Sequence, residues 1–347
     1  MRGDQWEQFK AAAKFRSPGR VPMALIMDSP WIPGYLGIKH IDYYFDQDVW
    51  FQCNRRIVEE FPEVTMFPSW WVEYGMAVET SALGGRVRFA ADQTPSELPM
   101  LFHLEDLDQL GELDPQADGL MPVALRQYRA QKRRILEAGY MIPVVAARGP
   151  LALAAFFRGL TPFMMDIADN PAGVHKLLSY TTKATIRWLK AQAEAVGDSV
   201  EGILVLDDIV GFLSPRQYAE FAHPCLQEVF HSFPSVWVKV YHNDAQIGPF
   251  LEELGKVGFD VLNFSHTLDI DEARKRTGGR ICLMGNVAPL EIGVLGTQEE
   301  VKSATLDLLQ KAGREGIILS LGGGVSPGMP GANIHAMAAA LAEFNSQ

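Results

Sequence analysis

Eight short runs of apolar, largely β-branched residues recur along the chain, at 21–27, 63–67, 142–147, 202–206, 236–241, 260–264, 281–284 and 316–320. Between them lie stretches in which apolar residues fall at helical spacing. Such alternation indicates α/β architecture with parallel strands. A parallel strand buried on both faces reads as a continuous apolar run, and Gly202-Ile203-Leu204-Val205-Leu206 and Ile317-Ile318-Leu319 have that form. Helical periodicity fills 171–196, 301–312 and 333–344. Ser214 followed by Pro215 is an N-cap with proline at the first helical position. Eight strand–helix units favour a (β/α)8 TIM barrel, with an open doubly wound sheet as the alternative. Two segments lie outside the repeat. Residues 1–20 read as an N-terminal helical extension, and 78–101, with Gly84-Gly85 ahead of Val87-Arg88-Phe89, as a β-hairpin inserted after strand 2. No linker-like stretch interrupts the chain, so 1–347 is expected to form a single domain: a barrel of about 250 residues with insertions.

The charge balance, 31 Lys+Arg against 42 Asp+Glu for a net −11, argues against a nucleic-acid partner, which needs clustered cations. Cys53, Cys225 and Cys282 are scattered without CxxC spacing, which fits a reducing compartment rather than a disulfide scaffold. The opening residues are too polar for a secretory signal, and no run approaches the roughly 20 apolar residues of a membrane helix. The expectation is a cytoplasmic protein with no membrane partner; a homodimer is compatible with the sequence.

In a TIM barrel the catalytic groups gather at the C-terminal strand ends. Those positions here carry Asp28, Trp71, Glu73, Tyr74, Arg148, Asp207, Asp208, His242, Asp244, His266, Asn286 and Gly322-Gly323-Gly324. Asp207-Asp208 directly follows five apolar residues, so at least one carboxylate begins at the rim of the core. It is either a raised-pKa acid or a loop-bracing cap. His242 and Asp244 share strand parity with Val236, Val238 and Val240, which points His242 to the barrel axis as an acid/base or a metal ligand; a histidine bonded to a carbonyl is the alternative. The glycine run after strand 8 suits close approach of a phosphate or a flat ligand, or is simply a flexible connection. The Trp70-Trp71 and Phe156-Phe157 pairs, with Trp31 and Tyr74, offer aromatic surface for an apolar substrate, though core packing explains most aromatics.

Taken in order, these features resemble the uroporphyrinogen decarboxylase superfamily, which includes corrinoid-dependent methyltransferases. The resemblance rests on Phe15-Arg16-Ser17-Pro18-Gly19-Arg20-Val21-Pro22, the hairpin after strand 2, and 202–208 leading into the Ser214-Pro215 helix. It continues with His242-Asn243-Asp244, Leu283-Met284-Gly285-Asn286-Val287, and the glycine loop followed by Pro330 and a final helix. It spans nearly the whole chain. Decarboxylases of this superfamily carry an Arg-rich turn after strand 1 that grips a polycarboxylate; here that place reads Asp28-Ser29-Pro30-Trp31. The thiol-methylating branch holds zinc with His-x-Cys after strand 5 and a Cys in the strand-8 loop. This chain keeps His242 but has Asp244 and glycines there, leaving at most a weaker zinc site at His242 and Asp244, completed by Glu73 or Asp208.

The resemblance then implies the O-demethylase methyltransferase I type, moving methyl from an aryl methyl ether to the cobalt of a corrinoid (cobalamin) on a partner protein. His242, Asp207, Asp208 and Asp244 are the candidate catalytic residues. Trp71, Glu73, Tyr74 and Asn286 are expected to bind the small methylated substrate, and Gly322, Gly323 and Gly324 the corrinoid. The runner-up passes methyl from a methylcorrinoid to an acceptor such as tetrahydrofolate. A tetrapyrrole-binding protein without turnover is the non-enzymatic alternative.

Overall fold

The structure, a computed structural model, describes residues 1–16 and 19–347; Ser17 and Pro18 of the Phe15–Pro22 motif lie outside the described residues. Eight parallel strands form the barrel: β1 (Ala24–Ile26), β2 (Thr65–Phe67), β5 (Val144–Arg148), β6 (Gly202–Leu206), β7 (Val238–Asn243), β8 (Val261–Phe264), β9 (Cys282–Val287) and β10 (Ile317–Leu321). β5 to β10 make one continuous parallel sheet in chain order, and β1 pairs in parallel with β2. Two backbone bonds bring β10 back against β1: Leu319 N donates to Pro22 O (2.9 Å) and Val325 N to Ile26 O (2.9 Å). The two other strands among the described residues, β3 (Arg86–Arg88) and β4 (Ser96–Leu98), pair antiparallel as the hairpin inserted after β2.

Side-chain alternation divides the apolar residues into two layers. Ala24, Ile26, Val144, Ala146, Leu204, Val238, Val240, Val261, Met284 and Ile318 fill the barrel interior, while Leu25, Val145, Ile203, Val205, Leu262, Leu283 and Leu319 face the surrounding helices. The N-terminal helix Gly3–Ala13 joins the interior layer. Trp6 and Phe9 are buried, and Phe9 stacks on Phe67 with centroids 4.8 Å apart. The outer helices carry the stops that their sequence implies. Asn170 accepts from Gly173 N at the start of Pro171–Val196, and Gly197 follows its end at φ 96°. Ser214 and Gln217 form a reciprocal capping box. Among the described residues no single helix is long and apolar enough to cross a membrane.

Several boundaries move relative to the sequence reading. The fifth barrel strand begins at Val238 rather than 236 and runs on to Asn243; Val236 is 77% exposed. Backbone pairing of His242 with Asn263 and of Asn243 with Phe264 extends the strand past its apolar run. For the same reason β9 continues through Asn286, paired with Ser320. The 78–101 segment opens with a short helix, Val78–Ala82, before the hairpin.

Truncating a buried phenylalanine removes its transfer energy and leaves a cavity. Phe9→Ala is therefore expected to destabilise the protein by about 3–5 kcal/mol, read as a lower urea midpoint. A loss under about 1 kcal/mol would show that the helix does not belong to the core.

Candidate active site at the barrel mouth

β6 ends in two carboxylates that part company. Asp207 is fully buried, and its oxygens accept from the backbone N–H groups of Leu151 (3.0 Å) and Ala152 (2.7 Å) at the start of helix Pro150–Arg158. Its carbonyl takes Asn243 Nδ2 (2.8 Å) and the Tyr241 hydroxyl (3.3 Å). A Cβ at Gly149 would run into the Asp207 carboxylate, so glycine there permits the cap. Burial pushes Asp207 up to about 8, against the two N–H bonds that favour its anion. Asp207 thus braces the wall and faces away from the mouth.

Asp208 lies at the mouth with the other sequence candidates. Its Oδ1 is 3.6 Å from His242 Nε2 and accepts from Asp244 N at 3.1 Å. His242 follows Val238 and Val240 on the inward face and is buried, while Asp208 is 46% exposed and Asp244 exposed. Burial raises Asp208, the neighbouring His242 opposes that, and Asp244 adds to it. One ligand-type atom from each of the three lies within 4.8 Å of the others. The other ring nitrogen, His242 Nδ1, is 2.7 Å from Asn263 Oδ1.

The turn after β2 supplies a second group. Ser69 (φ 77°), Trp70 (φ 53°), Tyr74 (φ 47°) and Met76 (φ 65°) all adopt left-handed backbone, at roughly 1–2 kcal/mol each. This contorted path sends Trp70 outward among Trp50, Phe51 and Tyr140 and Trp71 into the interior layer. Glu73 is buried: Oε1 accepts from Ser29 N (2.7 Å), and Oε2 has no hydrogen-bond partner among the described residues. Burial pushes Glu73 up to about 7, and burial followed by the Glu73 charge raises Asp28 well above the usual carboxylate range. The Tyr74 hydroxyl donates to Gln127 Oε1 (2.8 Å), and the Tyr44 hydroxyl donates to Ser29 Oγ (2.9 Å).

Between these groups stands Arg148, at the inward parity of β5. Its guanidinium lies 3.8 Å over the Phe156 ring and pairs with Glu97 of the hairpin at 3.2 Å, both side chains nearly buried. Its backbone N–H donates to Glu79, a buried carboxyl pushed up to about 7 by burial. Asn286 and the glycines line the opposite side. Asn286 Nδ2 donates to Ser265 O (3.0 Å) and Leu268 O (2.8 Å), holding the loop after β8. A Cβ at Gly322 would meet His266 N at 2.5 Å and one at Gly323 would meet Asp244 Oδ2 at 2.9 Å, so neighbouring protein already accounts for both glycines. Gly324 has ordinary room beside Ile26.

The mouth thus brings together Asp208, His242 and Asp244, sets Glu73 and Trp71 across from them, and excludes Asp207. Sequence reasoning missed Asn263, Glu79 and Glu97 as participants and left Arg148 without a role. Asn263 had a readable signal, a polar residue at inward parity within an apolar run. The partners of Arg148 come from the hairpin and its preceding helix, and nothing local announces them.

A thiolate zinc site does not fit. Asp244 and the glycines hold the relevant places, and burial pushes all three thiols above the usual range, with Cys282 in the barrel wall. The three mouth groups can converge on a proton or one small hard cation.

The sequence matches the uroporphyrinogen decarboxylase (URO-D) family over residues 7–344, and the chain belongs to that family. It is 29% identical over 239 residues to the uroporphyrinogen decarboxylase of Trichodesmium erythraeum (66% of this chain, 64% of that protein). It is 34% identical over 173 residues to the uroporphyrinogen decarboxylase of Hordeum vulgare (48% and 49%) and 30% identical over 230 residues to that of Myxococcus xanthus (64% and 63%). The chain therefore spans about half to two-thirds of the length of these curated relatives. In structure it is similar to a methyltransferase from Methanosarcina mazei, with a TM-score of 0.82, 20% identity and 98% of each chain covered. It also resembles a B12-independent methionine synthase from Shewanella sp. W3-18-1, with a TM-score of 0.58, 11% identity and 94% and 95% covered. Both likenesses establish the TIM-barrel fold.

Glu73 and Glu79 bind protons more tightly folded than unfolded, so their contribution to stability is full below about 4.5 and is lost as pH rises to about 7. The melting temperature should fall over that window, and Glu73→Gln or Glu79→Gln should flatten the fall. Parallel pH profiles for variants and parent would contradict the burial argument.

Proposed function

We propose that this chain is a corrinoid-dependent methyltransferase that moves a methyl group from a small donor, an aryl methyl ether, to the cobalt of a corrinoid protein docked over the barrel mouth. The observation that carries this reading is the His242–Asp208–Asp244 cluster at the end of an apolar barrel, in a mouth whose cation, Arg148, is already paired with Glu97. A polycarboxylate would meet Asp28, Glu73, Glu79, Glu97, Asp208 and Asp244, and the turn after β1 offers it no arginine clamp. The fold shared with the Methanosarcina mazei methyltransferase supports methyl transfer. Phe156, Phe212 and Leu290, from the segments that follow β5, β6 and β9, are 38%, 60% and 52% exposed, an apolar rim suited to a docked partner.

The chemistry follows from what each party lacks. A corrinoid Co(I) is a strong nucleophile and supplies the electron pair for the new Co–CH3 bond, becoming Co(III). The methyl–oxygen bond breaks with its pair going to the aryl oxygen, a poor leaving group unless protonated. His242 Nε2, which faces Asp208, is placed to deliver that proton as the bond breaks. Asp208 and Asp244 border the same ring at the mouth. Trp71 and the Glu73–Tyr74 wall hold the donor so that its methyl faces outward, and this orientation supplies much of the rate.

Mixing the protein with cob(I)alamin and methoxybenzenes should give the methyl–Co(III) spectrum. His242→Ala and Asp208→Asn should slow its appearance by roughly 100- to 10,000-fold, whereas Asp207→Asn should act through stability. Methyl loss from methylcobalamin to tetrahydrofolate, without ether turnover, would replace this reading by transfer in the onward direction. Carbon dioxide release from uroporphyrinogen would replace it by decarboxylation.

A further inference from the structure

We propose that Asn263 is a positioning residue that fixes the His242 tautomer, placing a permanent proton on Nδ1 and reserving Nε2 for the proton that moves. The inference deepens the reading above, in which His242 serves the mouth chemistry, but its structural core stands on hydrogen-bond geometry alone.

β7 and β8 run in register, with His242 directly beside Asn263 on the inward face. Asn263 is fully buried, so every polar atom of its amide needs a partner within the protein. Its Nδ2 lies 2.7 Å from Met284 O on β9 and 3.0 Å from Leu321 O on β10. Both neighbours are carbonyl oxygens, which only accept, so both amide protons are committed to them. Turning the amide over would set its oxygen against two carbonyl oxygens with no hydrogen between, leaving three buried acceptors unsatisfied. The orientation of Asn263 is therefore forced, and Oδ1 must face His242.

Oδ1 accepts and does not donate, and it lies 2.7 Å from His242 Nδ1. The hydrogen in that contact belongs to the imidazole. Neutral His242 is consequently the Nδ1–H tautomer, with the lone pair of Nε2 turned to the mouth, 3.6 Å from Asp208 Oδ1. Protonation adds a hydrogen at Nε2 and leaves the Nδ1 bond intact. The ring therefore keeps its Nδ1 bond without rotating, whatever Nε2 meets at the mouth. A neutral amide also holds the ring without trapping it in the charged form, as a buried carboxylate partner would.

The tautomer is read directly by long-range nitrogen–proton NMR of the full-length protein labelled with 15N-histidine, the His242 signals being identified by their loss in His242→Gln. Expected is a protonated Nδ1 and a bare Nε2 in neutral His242. A neutral Nε2–H species in the parent protein would overturn the assignment. That spectrum decides the tautomer even if a variant fails to fold. In folded Asn263→Ala, the Nδ1–H signature should be lost or mixed. Its kcat for methyl transfer should drop roughly 10- to 100-fold, the loss typical when a histidine's orienting partner is removed, with KM for the donor unchanged. An unchanged tautomer in that variant, or equal changes in kcat and KM, would overturn the role of Asn263. Absence of methyl transfer in the parent would strike the proposed function while leaving the tautomer result standing.

Discussion

The alternation of side chains along the barrel strands is the constraint on which the site depends. Valines at 238 and 240 face the axis, so the next inward side chain, His242, follows directly on a buried apolar column. Val261 does the same for Asn263 and Met284 for Asn286. The first polar layer therefore forms where the apolar one ends, and Trp6 and Phe9 of the N-terminal helix pack into that interior layer from elsewhere in the chain. A polar group in that layer cannot rely on water from below, so its partners are supplied by neighbouring strands, and their geometry is correspondingly definite.

The same alternation explains why adjacent carboxylates have different fates. Asp207 and Asp208 are consecutive, so one turns to the helices and the other to the mouth. Asp207 meets a helix N-terminus, where two backbone N–H groups donate to its carboxylate as a cap. Asp208 meets His242 and the backbone of Asp244. The hairpin insertion has a comparable consequence: β4 carries Glu97 to Arg148 and neutralises it, which changes what the mouth can bind far more than the insertion's size suggests.

Much of this was readable in the sequence where the signal was local. The eight strands, the Ser214 cap and the inward parity of His242 follow from periods of 2 and 3.6 and from capping chemistry. Strand ends were less readable, because Val236 looks like strand but lies outside the sheet, while His242, Asn243 and Asn286 look like loop but pair with neighbouring backbone. Asn263 as the partner of His242, and Glu97 as the partner of Arg148, are contacts across 21 and 51 residues. The inward parity of Asn263 marks it as a site residue, but neither pairing is written in local spacing. The glycine run invited a ligand, yet Gly322 and Gly323 are explained by His266 and Asp244 pressing against them.

Charge links these particulars to function. Of the carboxyls around the mouth, Glu97 is neutralised by Arg148, while Asp28, Glu73, Glu79 and Asp208 are raised by burial and so resist ionising together. A site so arranged repels additional negative charge and holds protons readily. Those two properties underlie the proposal of a neutral donor whose leaving oxygen needs a proton. The family relationship describes the barrel, while Asp28 after β1 and Asp244 after β7 add acidic groups at its rim. Both act through the same principle: in a mouth floored by hydrocarbon, each change of one charge alters the proton affinity of every neighbour.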